Sequence, residues 1–122
     1  MTQLIDALQL DKLRKQPKNV VILDASWHMP TGERDARAEF EAAHVAGARF
    51  FDLSLFDDQA TSLPHMLTHD TAHIASLLRE LGMSPDDKII FYDQSDLHSS
   101  CRAWWMFKMF GHDPEKLFIE AP

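Results

Sequence analysis

Two apolar runs constrain this chain more than anything else in it. Val20-Val21-Ile22-Leu23 stops at Asp24, and Lys88-Ile89-Ile90-Phe91-Tyr92 stops at Asp93. A strand with one wet face alternates apolar and polar positions. A run without such alternation is buried on both faces, as strands of a parallel sheet are. Both faces of that sheet must then be covered, and helix-forming stretches stand where they are needed. Residues 34–43 are rich in Ala, Glu and Arg and read as a helix, with Gly47 turning the chain beyond it. Residues 71–81 place Ile74, Leu77, Leu78 and Leu81 on one helical face, and Gly82 stops them. Residues 102–110 form an apolar helix closed by Gly111. At the start, Leu4, Ile5, Leu8, Leu10 and Leu13 are spaced as an amphipathic helix or two short turns, stopped by Pro17. Residues 48–53 read as a second short strand and residues 116–119 as a fourth. Strands alternating with helices predict βαβ units, an α/β fold and a mainly parallel sheet, with the strand order left open.

The chain has 122 residues, 45% of them hydrophobic, enough for one domain with a core of its own. Its net charge of −7 repels phosphate backbones, which argues against nucleic acid as a partner. No apolar run reaches the length of a membrane span, so no membrane is expected either. Residues 1–15 mix acids among apolar residues and lack the basic start and small-residue cleavage site of a signal peptide. The single cysteine cannot form an intrachain disulfide, which suits a reducing compartment. The expected location is the cytoplasm.

Few residues are equipped for chemistry. Cys101 is the only thiol, placed just before the helix expected near Arg102 and flanked by His98. A helix N-terminus and a guanidinium lower a thiol pKa, but a small inert residue suits a helix start equally well. Phe107 stands where a phosphatase-type cysteine loop needs arginine. His65 follows Pro64 in a loop. Its near-neutral imidazole is either a proton carrier or a packing residue. His65, His69 and His73 are spaced by four and would make a zinc stripe on one continuous helix. The helix is expected to begin near Thr71, which leaves only His73 inside it. No metal and no cofactor are therefore expected. The polar residues 95–100 read as a solvated loop capping a helix. Trp104, Trp105, Met106, Phe107, Met109 and Phe110 cannot share one helical face. Most belong in a core, and the rest face a second domain or another copy. Arg34, Arg37 and Arg49 read as surface ion-pair residues.

Three ordered blocks resemble a known family. Phe40, His44, Val45, Ala46, Gly47 and Ala48 follow its first signature, with Ala46 in place of the usual proline. Leu63-Pro64-His65-Met66-Leu67 is similar to a second block, and Arg102 to Phe107 with Phe110-Gly111-His112 to a third. From about Val20 to about Leu117 the chain resembles the amino-terminal domain of tandem rhodaneses and 3-mercaptopyruvate sulfurtransferases.

The resemblance implies a three-layer α/β/α domain over residues 1–122, ending before the closing helix usual in the family. It implies sulfur transfer, from thiosulfate or 3-mercaptopyruvate, in a complete two-domain enzyme. A catalytic rhodanese domain carries its persulfide-forming cysteine directly after the strand that Tyr92 ends. Here Asp93 takes that place, and a carboxylate cannot carry sulfane sulfur. The implied role is a non-catalytic half that shapes a cleft for a cysteine on a second domain. His65 matches a family histidine that reaches across this cleft. Ser54 occupies the place of its usual acidic partner, unless Asp52 or Asp57 substitutes; Asp52 itself reads as a strand end holding backbone donors. The implied partner is a second rhodanese domain or another copy. A small sulfur donor belongs only to the complete enzyme. Two rivals remain: a stand-alone binding or regulatory module that uses the acidic loop after Asp93, and a thiol enzyme that uses Cys101.

Overall fold

The computed structural model describes residues 3–16, 18–63 and 65–120. Five parallel strands form one sheet in the order β1-β5-β4-β2-β3. They are β1 (Gln3–Ile5), β2 (Val20–Asp24), β3 (Arg49–Phe50), β4 (Lys88–Tyr92) and β5 (Leu117–Glu120). The helices are α1 (Ala7–Arg14), α2 (Ala36–Ala42), α3 (Thr71–Glu80) and α4 (Ser99–Met109). Alternate side chains of the central strands enter two separate cores, as a pleated strand requires. Val21, Leu23, Ile89, Phe91 and Leu117 pack beneath α3 and α4 with Ala103, Met106 and Phe107. Ile22, Ile90 and Tyr92 pack on the opposite face with Ile5, Leu10 of α1 and Phe40 of α2. The expected three-layer architecture with a parallel sheet is the one observed.

Four expected boundaries are corrected. The chain opens with strand β1, not with a helix over Leu4 and Ile5, because these residues pair with Ile119 and Glu120 of β5. Helix α1 starts only after Asp6, which caps it in a reciprocal capping box with Gln9. The stop expected at Pro17 lies outside the described residues. Strand β3 is shorter than expected, since Asp52 accepts the backbone N–H of Ser54 and starts a 3-10 helix over Leu53–Phe56. The C-terminal strand is the fifth, not the fourth. Finally, α4 begins at Ser99, earlier than the expected Arg102. Ser99 and Ser100 thus belong to the helix and not to a loop, and Cys101 sits inside its first turn.

The first signature block forms the turn from α2 into β3. Phe40 stacks on His44 with ring centroids 4.0 Å apart. The N–H of Val45 donates to the Tyr92 hydroxyl at 3.1 Å, which ties the turn to the end of β4. Gly47 has φ of 82°, a conformation that side chains resist. Ala46 in the proline place leaves this turn intact.

Candidate functional site

After β2 the chain moves to one side of the sheet, through α2 to β3. After β4 it moves to the other, through α4 to β5. The carboxyl ends of β2 and β4 therefore flank a topological switch point, where open α/β sheets hold their ligands. Asp24 ends β2 there, and Asp93 follows β4.

The two loops that leave this point are stitched together. Buried Asp24 accepts both the N–H and the hydroxyl of Ser26 on one carboxylate oxygen, at 2.9 and 2.5 Å. The Ser26 hydroxyl in turn accepts the N–H of Gln94 at 2.8 Å. Ser99 donates its hydroxyl to the carbonyl of Ala25 at 2.6 Å. Arg34 donates to the carbonyl of Gln94 at 2.9 Å while pairing with Glu39, which also meets His28 at 2.8 Å. These two partners, Arg34 first, hold the Glu39 carboxyl down at about 2. Of the three arginines expected in surface ion pairs, Arg34 makes one. Arg37 instead lies over the Phe50 ring at 4.7 Å, and Arg49 donates to the carbonyl of Leu81.

Asp93 is absorbed by its own loop. One carboxylate oxygen accepts the N–H and the hydroxyl of Ser95, at 3.1 and 3.0 Å. The other accepts the N–H of Ser100 at 2.9 Å, in the first turn of α4. His98, at the N-cap position with φ of 52°, offers no side-chain cap, so Asp93 supplies one from outside the helix. That outside cap is the physical reason α4 reaches back to Ser99. The acid also shapes its surroundings. Burial, followed by the charge of Asp93, raises the carboxyl pKa of Glu120.

Beside this loop lies an open cavity of about 340 Å³, lined by Trp27, Ser54, Asp57, His65, Cys101 and Arg102 among others. His65, Ser54 and Cys101 are thus brought to one cleft, whereas Asp93 lines a neighbouring depression with Cys101 and Glu120. His65 is exposed, at φ of 60°, with its ring edge-on to Trp27 at 5.0 Å. Its carbonyl accepts from Arg102 Nη2 at 2.7 Å. The arm carrying it is a small antiparallel turn: Asp58 N–H donates to the Met66 carbonyl and Thr68 N–H to that of Phe56. Ser54 donates its hydroxyl to Asp52 at 2.6 Å. Asp52 is occupied in starting the 3-10 helix, and Asp57 is the carboxylate that lines the cleft with His65. Cys101 is exposed, and the guanidinium beside it in sequence is directed elsewhere, over the Trp105 ring at 4.5 Å and onto His65. His73 lies in α3 and reaches the Leu55 carbonyl, while His65 and His69 precede that helix, so the three histidines do not share a helical stripe.

Trp27 and the positioning contact from Arg102 were not legible beforehand. Trp27 stands in a loop sequence with no period to place it. The Arg102–His65 contact joins residues 37 positions apart.

The five-stranded order and a cleft at the β2–β4 switch define a rhodanese-type α/β domain. The Rhodanese-like domain family profile matches residues 6–119, and the chain belongs to that family. It is 45% identical over 98 residues to thiosulfate/3-mercaptopyruvate sulfurtransferase 1, mitochondrial, of Arabidopsis thaliana, covering 80% of this chain and 25% of that protein. It is 41% identical over 114 residues to the 3-mercaptopyruvate sulfurtransferase of Mus musculus, covering 89% of this chain and 38% of that one. The crystal structure of the 3-mercaptopyruvate sulfotransferase SseA from Escherichia coli superposes with a TM-score of 0.86 at 36% identity, over 99% of this chain and 45% of that one. The chain thus spans less than half the length of each of these relatives. No helix among the described residues is long and apolar enough to cross a membrane.

Proposed function

We propose that this domain, over residues 1–122, is the non-catalytic half of a thiosulfate/3-mercaptopyruvate sulfurtransferase and shapes a cleft for a cysteine carried by a second rhodanese domain. The observation that carries this reading is the bonding of Asp93. Its carboxylate takes the N–H groups of Ser95 and Ser100, in the loop where a catalytic rhodanese domain holds its persulfide. In the complete enzyme the second-domain thiolate attacks the outer sulfur of thiosulfate, breaking its S–S bond, or the thiol sulfur of 3-mercaptopyruvate, breaking its C–S bond. Thiosulfate then releases sulfite, and 3-mercaptopyruvate releases the enolate of pyruvate, which takes up a proton. The persulfide passes its outer sulfur to an acceptor thiol or cyanide, and the thiolate is restored. In this reading His65, on a braced arm, carries that proton, and the role is supported by His65 lining one cavity with Ser54 and Asp57. A reducing compartment such as the cytoplasm suits an exposed lone thiol.

Sulfite release from thiosulfate and pyruvate release from 3-mercaptopyruvate test the reading. The domain by itself should show neither above the protein-free rate. Addition of a separately prepared cysteine-bearing rhodanese domain should bring turnover, and His65→Ala should lower it. Turnover by the domain alone that disappears in Cys101→Ser would defeat the reading in favour of a thiol enzyme. A second reading, a stand-alone protein-binding or regulatory module, draws on the exposed Asp96 and Leu97 of the acidic loop. Absence of any turnover in the mixture, with a partner protein retained through that loop, would favour it.

A further inference from the structure

A groove runs from the cleft between α3 and α4, with a volume of about 630 Å³. Met66, Leu67, Ile74, Trp105, Met109 and Phe110 give it apolar walls. Three of these are unusually open for their type: Met66 is 46% exposed, Trp105 37% and Met109 59%. Contiguous exposed apolar surface of this kind marks an interaction site, and methionines adapt to the side chains they receive. His65 and Arg102 line both cleft and groove, so the two are continuous.

The charges at the groove narrow the occupant. The chain carries −7 overall, yet the titratable groups lining the groove are His65, His69 and Arg102, with no carboxylate among the described residues there. Among the described residues no carboxylate pairs with Arg102. Its guanidinium is already oriented, by the His65 carbonyl at 2.7 Å and the Trp105 ring at 4.5 Å. A planar fork held in this way is prepared for a carboxylate. The walls come from two helices, and a third helix with apolar residues on one face fills such a groove.

We propose that this groove seats an amphipathic helix whose apolar face meets Met66, Trp105 and Met109 and whose carboxylate meets Arg102, supplied by the domain that covers the cleft. The source of the helix rests on the function proposed above. The chemistry of the groove does not.

The probe is a fluorescently labelled amphipathic peptide of about 16 residues, long enough to be helical when bound, with glutamates flanking its apolar face. A second peptide carries lysines in their place. Anisotropy titration should show the glutamate peptide binding at least about tenfold more tightly. Met109→Glu should abolish binding, and Arg102→Gln should erase the preference between peptides; circular dichroism confirms that both variants fold. In the reconstituted sulfur-transfer assay, excess glutamate peptide should lower the rate. Equal affinity for the two peptides overturns the proposal, as does a Met109→Glu variant that still binds. A concentration-dependent dimer lost in Met109→Glu overturns it in favour of a second copy. A reconstituted rate indifferent to the peptide overturns the assignment to the covering domain. Failure to reconstitute any rate counts against the proposed function, and the peptide comparison still decides the groove.

Discussion

Asp93 and Ser100 are joined by a hydrogen bond of 2.9 Å from the first-turn N–H of α4 to a carboxylate outside the helix. The same carboxylate holds the N–H and hydroxyl of Ser95, so one side chain fixes both the loop and the helix start. Asp93→Ala leaves those N–H groups without that acceptor and should cost about 1–2 kcal/mol, the usual scale of a lost cap. Asp93→Asn keeps one acceptor oxygen but turns an amide donor towards a neighbouring donor, and should fall between. The urea midpoint at unchanged m-value measures both. A midpoint in Asp93→Ala equal to the parent's would remove the capping role.

Tyr92 is the only tyrosine, so its ionisation can be followed without interference. Its hydroxyl accepts from Val45 N–H at the signature turn. Burial first, reinforced by the nearby Asp24 carboxylate, pushes it up from 10.0 to about 12. The fold therefore favours the neutral phenol. That contribution is complete below the unfolded value near 10 and is lost as pH rises from there towards 12. Tyrosinate absorbance should appear in the folded domain only near pH 12, and near 10 in denaturant. A native titration near 10 would contradict the placement of the hydroxyl. Tyr92→Phe should cost about 1 kcal/mol by leaving the Val45 N–H without its acceptor.

Glu39 behaves in the opposite sense. Arg34 and then His28 lower its carboxyl from 4.5 to about 2. The fold favours the carboxylate, so the contribution is present above the unfolded value of 4.5 and is lost as pH falls from there through about 2. The pair is open to solvent, and salt should weaken it. Glu39→Gln should flatten this part of the acid limb of stability against pH. It should also release the Arg34 bridge to Gln94, visible as faster amide exchange in residues 94–98. An acid limb identical in Glu39→Gln and parent would exclude the linkage.

Much of this arrangement was legible in the residues. β4 occupies its expected Lys88–Tyr92, α3 begins at its expected Thr71, and the resemblance pointed to His65 and Ser54, which meet at one cleft. What could not be read depends on distant partners. β1 is a strand because β5, at the far end of the chain, offers it an edge; its local pattern suits a helix equally well. The start of α4 is set by Asp93 and Ser95, whose side chains lie outside the helix they cap. Arg102 has no local signal for its contact with His65, since periodicity reports only neighbours along one helix.

Phe107 belongs to the apolar stretch of which most was expected in the core, and its surroundings show how much rests on it. It is 2% exposed, with ring centroids of Phe51, Phe91 and Phe110 at 5.3, 5.2 and 5.4 Å. These neighbours come from just after β3, from β4 and from the C-cap of α4. The ring therefore ties the helix that carries Arg102 to the sheet beneath the cleft. Phe107→Ala should cost about 3–5 kcal/mol, the range for a buried aromatic lost from a packed core. Phe107→Leu retains more of the volume and should cost less. Trp105→Ala, two positions away and on a different face of the same helix, removes a partly exposed ring and should cost far less stability while weakening peptide binding at the groove. Chemical denaturation separates the three variants. If Trp105→Ala proved as destabilising as Phe107→Ala, Trp105 would have to be reassigned from the binding face to the core.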